Sequence, residues 1–152
     1  ALFLTLFTMT PVLEQANTTA LQPYMKGKIE TAAALELGLK PLREFMIRQT
    51  REKDLALMVE LSKSPEPATI EEVSTTTLIP AFMLSELRAA FQIGFVLFLP
   101  FLLIDLVVST ILMSLGMMMV PPVTISLPVK ILMFVLIDGW NIVVRALLGT
   151  FH

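Results

Sequence analysis

The run AAFQIGFVLFLPFLLIDLVVSTILM, from Ala89 to Met113, decides how the rest of the chain is read. Its only charged residue is Asp105. A helix that crosses a bilayer needs about 20 mostly apolar residues, and this run supplies them. Pro100 lies inside it, which kinks such a helix without forbidding it. A second apolar run, ISLPVKILMFVLIDGWNIVVRALL, extends from Ile125 to Leu148. Between them stands little more than LGMMMVPP, Leu115 to Pro122. So short a link predicts two helices folded back as an antiparallel hairpin, with Met117, Met118 and Met119 at its tip. Gly116 lets the backbone turn there, and Pro121 and Pro122 prevent the first helix from continuing.

The composition agrees with this reading. The 152 residues are 55% hydrophobic and only 16% charged, with a mean hydropathy of +0.79. A soluble domain is nearer half apolar and a quarter charged. Charges are dense and mixed in sign between Glu14 and Val73, but from Thr75 onward only Glu86, Arg88, Asp105, Lys130, Asp138 and Arg145 remain. Three regions follow: 1–13 as the tail of an N-terminal hydrophobic helix, 14–77 as a polar helical loop region, and 78–152 as a C-terminal hydrophobic hairpin with a methionine-rich tip. The chain opens on ALFLTLFTMTPVL without an initiator methionine, a basic start or a small-residue cleavage site. That reads as a membrane helix whose beginning is missing, in a fragment of a longer protein.

A net charge of -2 gives no reason to expect nucleic acid. With no cysteine there is no disulfide, thiolate metal site or cysteine nucleophile. The single histidine is His152 at the extreme end, and no glycine-rich phosphate loop, metal-ligand spacing or nucleophile elbow is present. Neither an enzyme nor a cofactor or metal is expected. Asn17-Thr18-Thr19 fits a glycosylation sequon, a match too short to carry weight.

In the middle region, PLREFMIRQTREKDLALMVELSK (Pro41 to Lys63) predicts one helix, with Pro41 at its first position. Glu44, Arg48 and Glu52 form successive i,i+4 pairs on its exposed side. A shorter helix, about Ile29 to Leu37, is expected to end near Gly38. SPEPATIEE (Ser64 to Glu72) reads as a linker broken by Pro65 and Pro67. Phe45 and Met58 fall on an apolar stripe with two readings: the core of a local hairpin, or a face that docks on another subunit.

Asp105 and Asp138 interrupt apolar helices, where a carboxylate is expensive and normally has a partner. An ion or proton relay is one reading. A structural pair with Lys130, Arg145 or Arg88 is preferred, because no second carboxylate lies a helical turn away. Glu86 and Arg88 stand at the entrance to the long apolar helix, either solvated or paired across a subunit boundary. The three methionines have a bland reading as gap-filling core. Consecutive residues, however, point to different sides of any regular element. At a bend they make a soft apolar knob, and a ring of such knobs would be a dry, deformable constriction.

PAFMLSELRAAFQIGF (Pro80 to Phe95) and PVKILMFVLIDGW (Pro128 to Trp140) resemble the two signature stretches of the FliP family of flagellar type III export-gate proteins. PLREFMIRQTREKDLAL and LGMMMVPP fit as well, so the resemblance covers nearly the whole chain. It implies an all-α, membrane-associated protein, with helical hairpins and a helical extramembranous insertion, assembling into a helical ring. It further implies a homo-oligomer built with FliQ and FliR, docked by FlhB, in contact with membrane lipid at the bacterial inner membrane and flagellar basal body. Unfolded flagellar subunits would pass through its centre. Met117, Met118 and Met119 would be the seal, and Phe45, Met58 and Glu86 would be contacts between neighbouring copies. Polar residues such as Lys130 and Asp138 would be accommodated by neighbouring helices in a stack lying largely outside the bilayer plane.

Overall fold

The computed structural model describes residues 1–63 and 67–151. The expected break at Pro65 and the reading of His152 lie outside the described residues. Within them every regular element is helical. The chain forms two compact units, residues 1–88 with Phe151, and residues 89–150.

In the first unit, α1 (Leu2–Ala16) passes through a π-helical turn (Asn17–Leu21) into the short α2 (Gln22–Met25). Gly27, with φ +66°, turns the chain, a conformation that disfavours any side chain. Then α3 (Thr31–Gln49) packs on α1 and the π turn. Gly38 faces Ala20, where a Cβ on the glycine would lie 3.5 Å from the alanine methyl, an ordinary contact distance. Gly38 therefore caps nothing. It sits inside one helix that runs straight through the expected stop. Pro41, expected to begin a helix, is likewise interior and buried. There it forgoes one backbone hydrogen bond.

The single helix expected over Pro41–Lys63 is instead two. Thr50 and Arg51 are extended (ψ 130° and 138°) and α4 begins at Glu52, ending at Ser62. Two side chains hold the break. The Thr50 hydroxyl caps the Met46 carbonyl at 2.6 Å, and the Arg51 N–H donates to Ser85 Oγ at 3.0 Å. The break also places Arg48 and Glu52 on different helices, so the second of the two i,i+4 pairs does not lie on one surface. Leu55, Val73, Leu78 and Ala81 form the core, with Met46, Ile47, Met58 and Val59 packed against it. A 3₁₀ turn (Ile70–Glu72) closes this core, held by Arg43. The Arg43 guanidinium donates to the carbonyls of Glu71 (2.9 Å) and Val73 (2.7 Å) and to the Thr75 hydroxyl.

The 40-residue α5 (Thr75–Ser114) starts in the first unit and supplies the first helix of the second. At 1.5 Å per residue it is roughly 60 Å long, about twice a hydrocarbon core. It is long and apolar enough to cross a membrane. Beyond Ala89 most of its large side chains, among them Phe91, Phe95, Leu103 and Leu106, are exposed.

The second apolar run is not one helix. It forms α6 (Pro122–Leu136) and α7 (Gly139–Leu148), bent by 67° at an elbow. Asp138 adopts a left-handed conformation there (φ +53°), which aspartate tolerates better than most residues. A Cβ at Gly139 would run into the ring of Phe134, so only glycine fits. Apolar periodicity continues through these two residues, which is why the pattern alone does not reveal the corner.

Candidate functional site

The link between α5 and α6 is built as the sequence predicts. Gly116 has φ +72°, and no atom comes within 4 Å of where its Cβ would stand. Pro121 is extended ahead of α6 and Pro122 takes the first helical position. The three methionines between them become progressively barer: Met117 is 47% exposed, Met118 83% and Met119 97%. This excludes the bland reading of the run as core within the chain.

Two contacts show how α6 returns along α5. Lys130 Nζ donates to Asp105 Oδ2 at 2.6 Å. The rings of Phe101 and Phe134 stack at 6.3 Å between centroids. Each pair is equally far in sequence from the Met117–Met118 bond, so the antiparallel register is centred on the methionine tip. Ser126, one turn before Lys130, is fully buried. A carboxylate on an otherwise apolar helix thus receives an ammonium from its neighbour. Of the three partners the sequence offers, Lys130, Arg145 and Arg88, Asp105 pairs with Lys130.

Asp138 differs. It is not paired with Lys130, Arg88 or Arg145 but lies exposed at the elbow, with no side-chain hydrogen bond or ion pair among those the described residues make. Its role is conformational. Beside it Trp140 sets its ring edge-on to Phe134 at 5.5 Å, fastening α7 to α6.

In the first unit the residues at the start of α5 take part in a network that sequence reasoning missed. Asp54, on the first turn of α4, has 1% of its surface exposed. Its Oδ1 meets Arg88 Nη2 at 3.0 Å, and its Oδ2 accepts from the Ser85 hydroxyl at 2.8 Å. Ser85 in turn receives the Arg51 N–H, so the α3–α4 break and the polar beginning of α5 are one assembly. Arg88 is half exposed rather than buried. The available signal was the i,i+3 spacing of Ser85 and Arg88, which puts both on one helix face.

Phe45 is buried within its own unit, 8% exposed, edge-on to Phe82 at 6.0 Å and stacked with Phe151 at 6.2 Å. Met58 is half-buried against the core, and Glu86 is half-buried on α5. No group of three metal-ligating side chains occurs among the described residues.

A family model described as the FliP family matches residues 1–147. The chain belongs to the FliP family. It is 52% identical over 151 residues to the flagellar biosynthetic protein FliP of Bacillus subtilis (strain 168), covering 99% of this chain and 68% of that relative. Identity to the protein of the same name from Pectobacterium carotovorum subsp. carotovorum is 53%, over 99% of this chain and 58% of the relative. For that of Caulobacter vibrioides it is 48%, over all of this chain and 57% of the relative. This FliP-family chain therefore spans between 57% and 68% of the length of these three relatives. Family membership covers both the buried Asp54 network and the bare methionine tip, since the matched residues include them all.

Proposed function

We propose that this chain is a pore-forming core subunit of the flagellar type III protein export gate, with Met117, Met118 and Met119 sealing the path of unfolded flagellar subunits. The name shared by its relatives, flagellar biosynthetic protein FliP, supports the flagellar assignment. The observation that carries the seal is the bare tip. Met118 and Met119 spend almost none of their surface on their own chain, at the end of a hairpin whose register centres on them. A thioether is apolar, unbranched and polarisable, so it fills irregular gaps without a fixed partner. Several such tips meeting on an axis would exclude water at rest and mould themselves to an extended chain.

The rest of the reading follows from what the chain leaves uncovered. The long apolar surface of α5 calls for other copies, for FliQ and FliR with FlhB docked on them, and for membrane lipid at the inner membrane and flagellar basal body. Met58 and Glu86 contribute to contacts between neighbouring copies. Phe45 shapes that surface from beneath, since its own ring is taken up within the chain. The role is passive: no residue performs chemistry, and energy comes from elsewhere in the machine.

The test replaces Met117, Met118 and Met119 together with alanine in the assembled complex. Assembly is followed on a native gel, and conductance is followed for ions and small solutes. The expected result is an intact complex that leaks. Wild-type conductance from an intact complex would defeat the seal and leave a scaffold that only nucleates assembly. In that alternative, truncating Met58 or Glu86 abolishes the complex while the methionine change is silent. A transporter using Asp105 ranks below both, because that carboxylate is already engaged by Lys130.

A further inference from the structure

We propose that the tip is also a modification site: Met118 and Met119 are oxidised to sulfoxides by a peroxide-class oxidant ahead of the packed methionines of this chain, and their oxidation loosens the closure. The second half of this rests on the seal reading; the first half does not.

The chain has ten methionines, and they differ widely in surroundings. Met46 and Met58 lie against the Leu55–Leu78 core. Met25, Met83 and Met113 are exposed but each stands among other residue types. Only at the tip do bare thioethers adjoin one another, on a bend where nothing crowds Gly116. Methionine oxidation follows access to sulfur. The lone pair of each sulfur attacks one peroxide oxygen, so an S–O bond forms as the O–O bond breaks. Sulfur loses two electrons, and the departing hydroxide takes the proton of the transferred oxygen and leaves as water. The step is reversible by a thiol-dependent methionine sulfoxide reductase.

The consequence follows from polarity. A sulfoxide is a strong hydrogen-bond acceptor on a stiffer, chiral sulfur. In a dry constriction an acceptor without a donor is unfavourable, and water is drawn in to satisfy it. Because the residues are consecutive, one tip can place several such acceptors at a single level of the path. A leucine tip would be equally apolar but inert. The choice of methionine thus couples softness to a chemical liability.

The experiment treats the assembled complex with hydrogen peroxide, maps sulfoxides by peptide mass spectrometry and records conductance over the same time course. Met118 and Met119 are expected to be oxidised alongside the exposed Met25, and Met46 and Met58 more slowly. Leak should rise with tip oxidation, persist in the M25L/M83L/M113L variant and fall again on addition of the reductase. Tip methionines that stay reduced while Met46 or Met58 oxidise would overturn the modification site. Oxidised tips with unchanged conductance would overturn the loosening. The alanine triple variant reports on the seal separately: if it leaks while oxidised wild type does not, this inference fails and the seal stands. If it does not leak, the seal fails and the mapping still decides whether the site is modified.

Discussion

Removing the Arg88 side chain is expected to damage the first unit more than removing its partner, Asp54. The two sit unequally: in their ion pair the Arg88 side chain is 46% exposed and that of Asp54 only 2%. Arg88→Ala leaves a carboxylate enclosed by protein, with the Ser85 hydroxyl as its remaining donor. Breaking a fully buried pair in this way costs about 3–5 kcal/mol. Because solvent already screens the guanidinium, a discounted cost of about 2–4 kcal/mol applies here. Asp54→Ala instead leaves an arginine that can turn into water. What is lost is the hydrogen bond from Ser85 to a charged acceptor, worth about 1.5–3 kcal/mol. Part of that returns if the freed hydroxyl donates to a carbonyl of the preceding helical turn. The net for Asp54→Ala is about 1–2 kcal/mol.

Two consequences can be measured in the full chain in detergent, by hydrogen exchange at the α4 amides around Leu55, which report local opening. Arg88→Ala should lower protection by about 1–2 kcal/mol more than Asp54→Ala does. The double variant should resemble Asp54→Ala alone, because without the carboxylate there is no stranded charge. Equal or reversed single effects would refute the asymmetry argument. So would a double variant whose loss equals both single losses combined.

Two further substitutions probe the corners of the fold. Gly139→Ala drives a Cβ into the Phe134 ring and should destabilise the elbow by about 1–3 kcal/mol. Trp140 is the chain's one tryptophan and rests on that ring, so its emission should shift to the red; an unchanged spectrum would mean that the elbow tolerates a methyl group. Arg43→Ala removes the donor of three hydrogen bonds to residues 71–75 and should speed amide exchange there by the equivalent of about 1–3 kcal/mol. Arg43→Lys should recover little, since an ammonium cannot fork across separated acceptors; full recovery would show that charge alone holds the turn.

How far the sequence can be read depends on whether a feature is local. The tip was legible because glycine, proline and the missing periodicity all act on the backbone where they stand. That Asp105 is paired was legible because an apolar helix offers a lone carboxylate few alternatives, but the choice of Lys130 over Arg88 and Arg145 was set by tertiary contact. The break at Thr50–Arg51 was not, because the apolar stripe runs on through it and the force that opens it comes from Ser85, 34 residues away. Gly38 and Pro41 misled in the opposite sense. Both are helix breakers by propensity, yet packing on Ala20 and burial of the proline ring outweigh a penalty of a few kcal/mol. Asp54 stood in plain view within a charged, mixed-sign segment where every carboxylate looks solvated. Only tertiary contact separates it from Glu52 and Glu60.

These placements also explain what remains on the outside. The charged groups of highest consequence are satisfied within the chain: Asp105 by Lys130, and Asp54 by Arg88 and Ser85. Between Ala89 and Ser114, the surface that α5 leaves uncovered is therefore almost free of unmatched charge, and monomeric soluble proteins do not tolerate contiguous apolar area of that extent. A partner for it must be apolar too, either lipid or helices of the same kind, since a charged surface laid against it would be desolvated without compensation. Having settled its ions internally, α5 can pack on any apolar neighbour without a specific countercharge. That leaves orientation to be set by shape and by the polar network at its beginning. The Asp54 assembly fixes the first turns of α5 on α4, within the first unit.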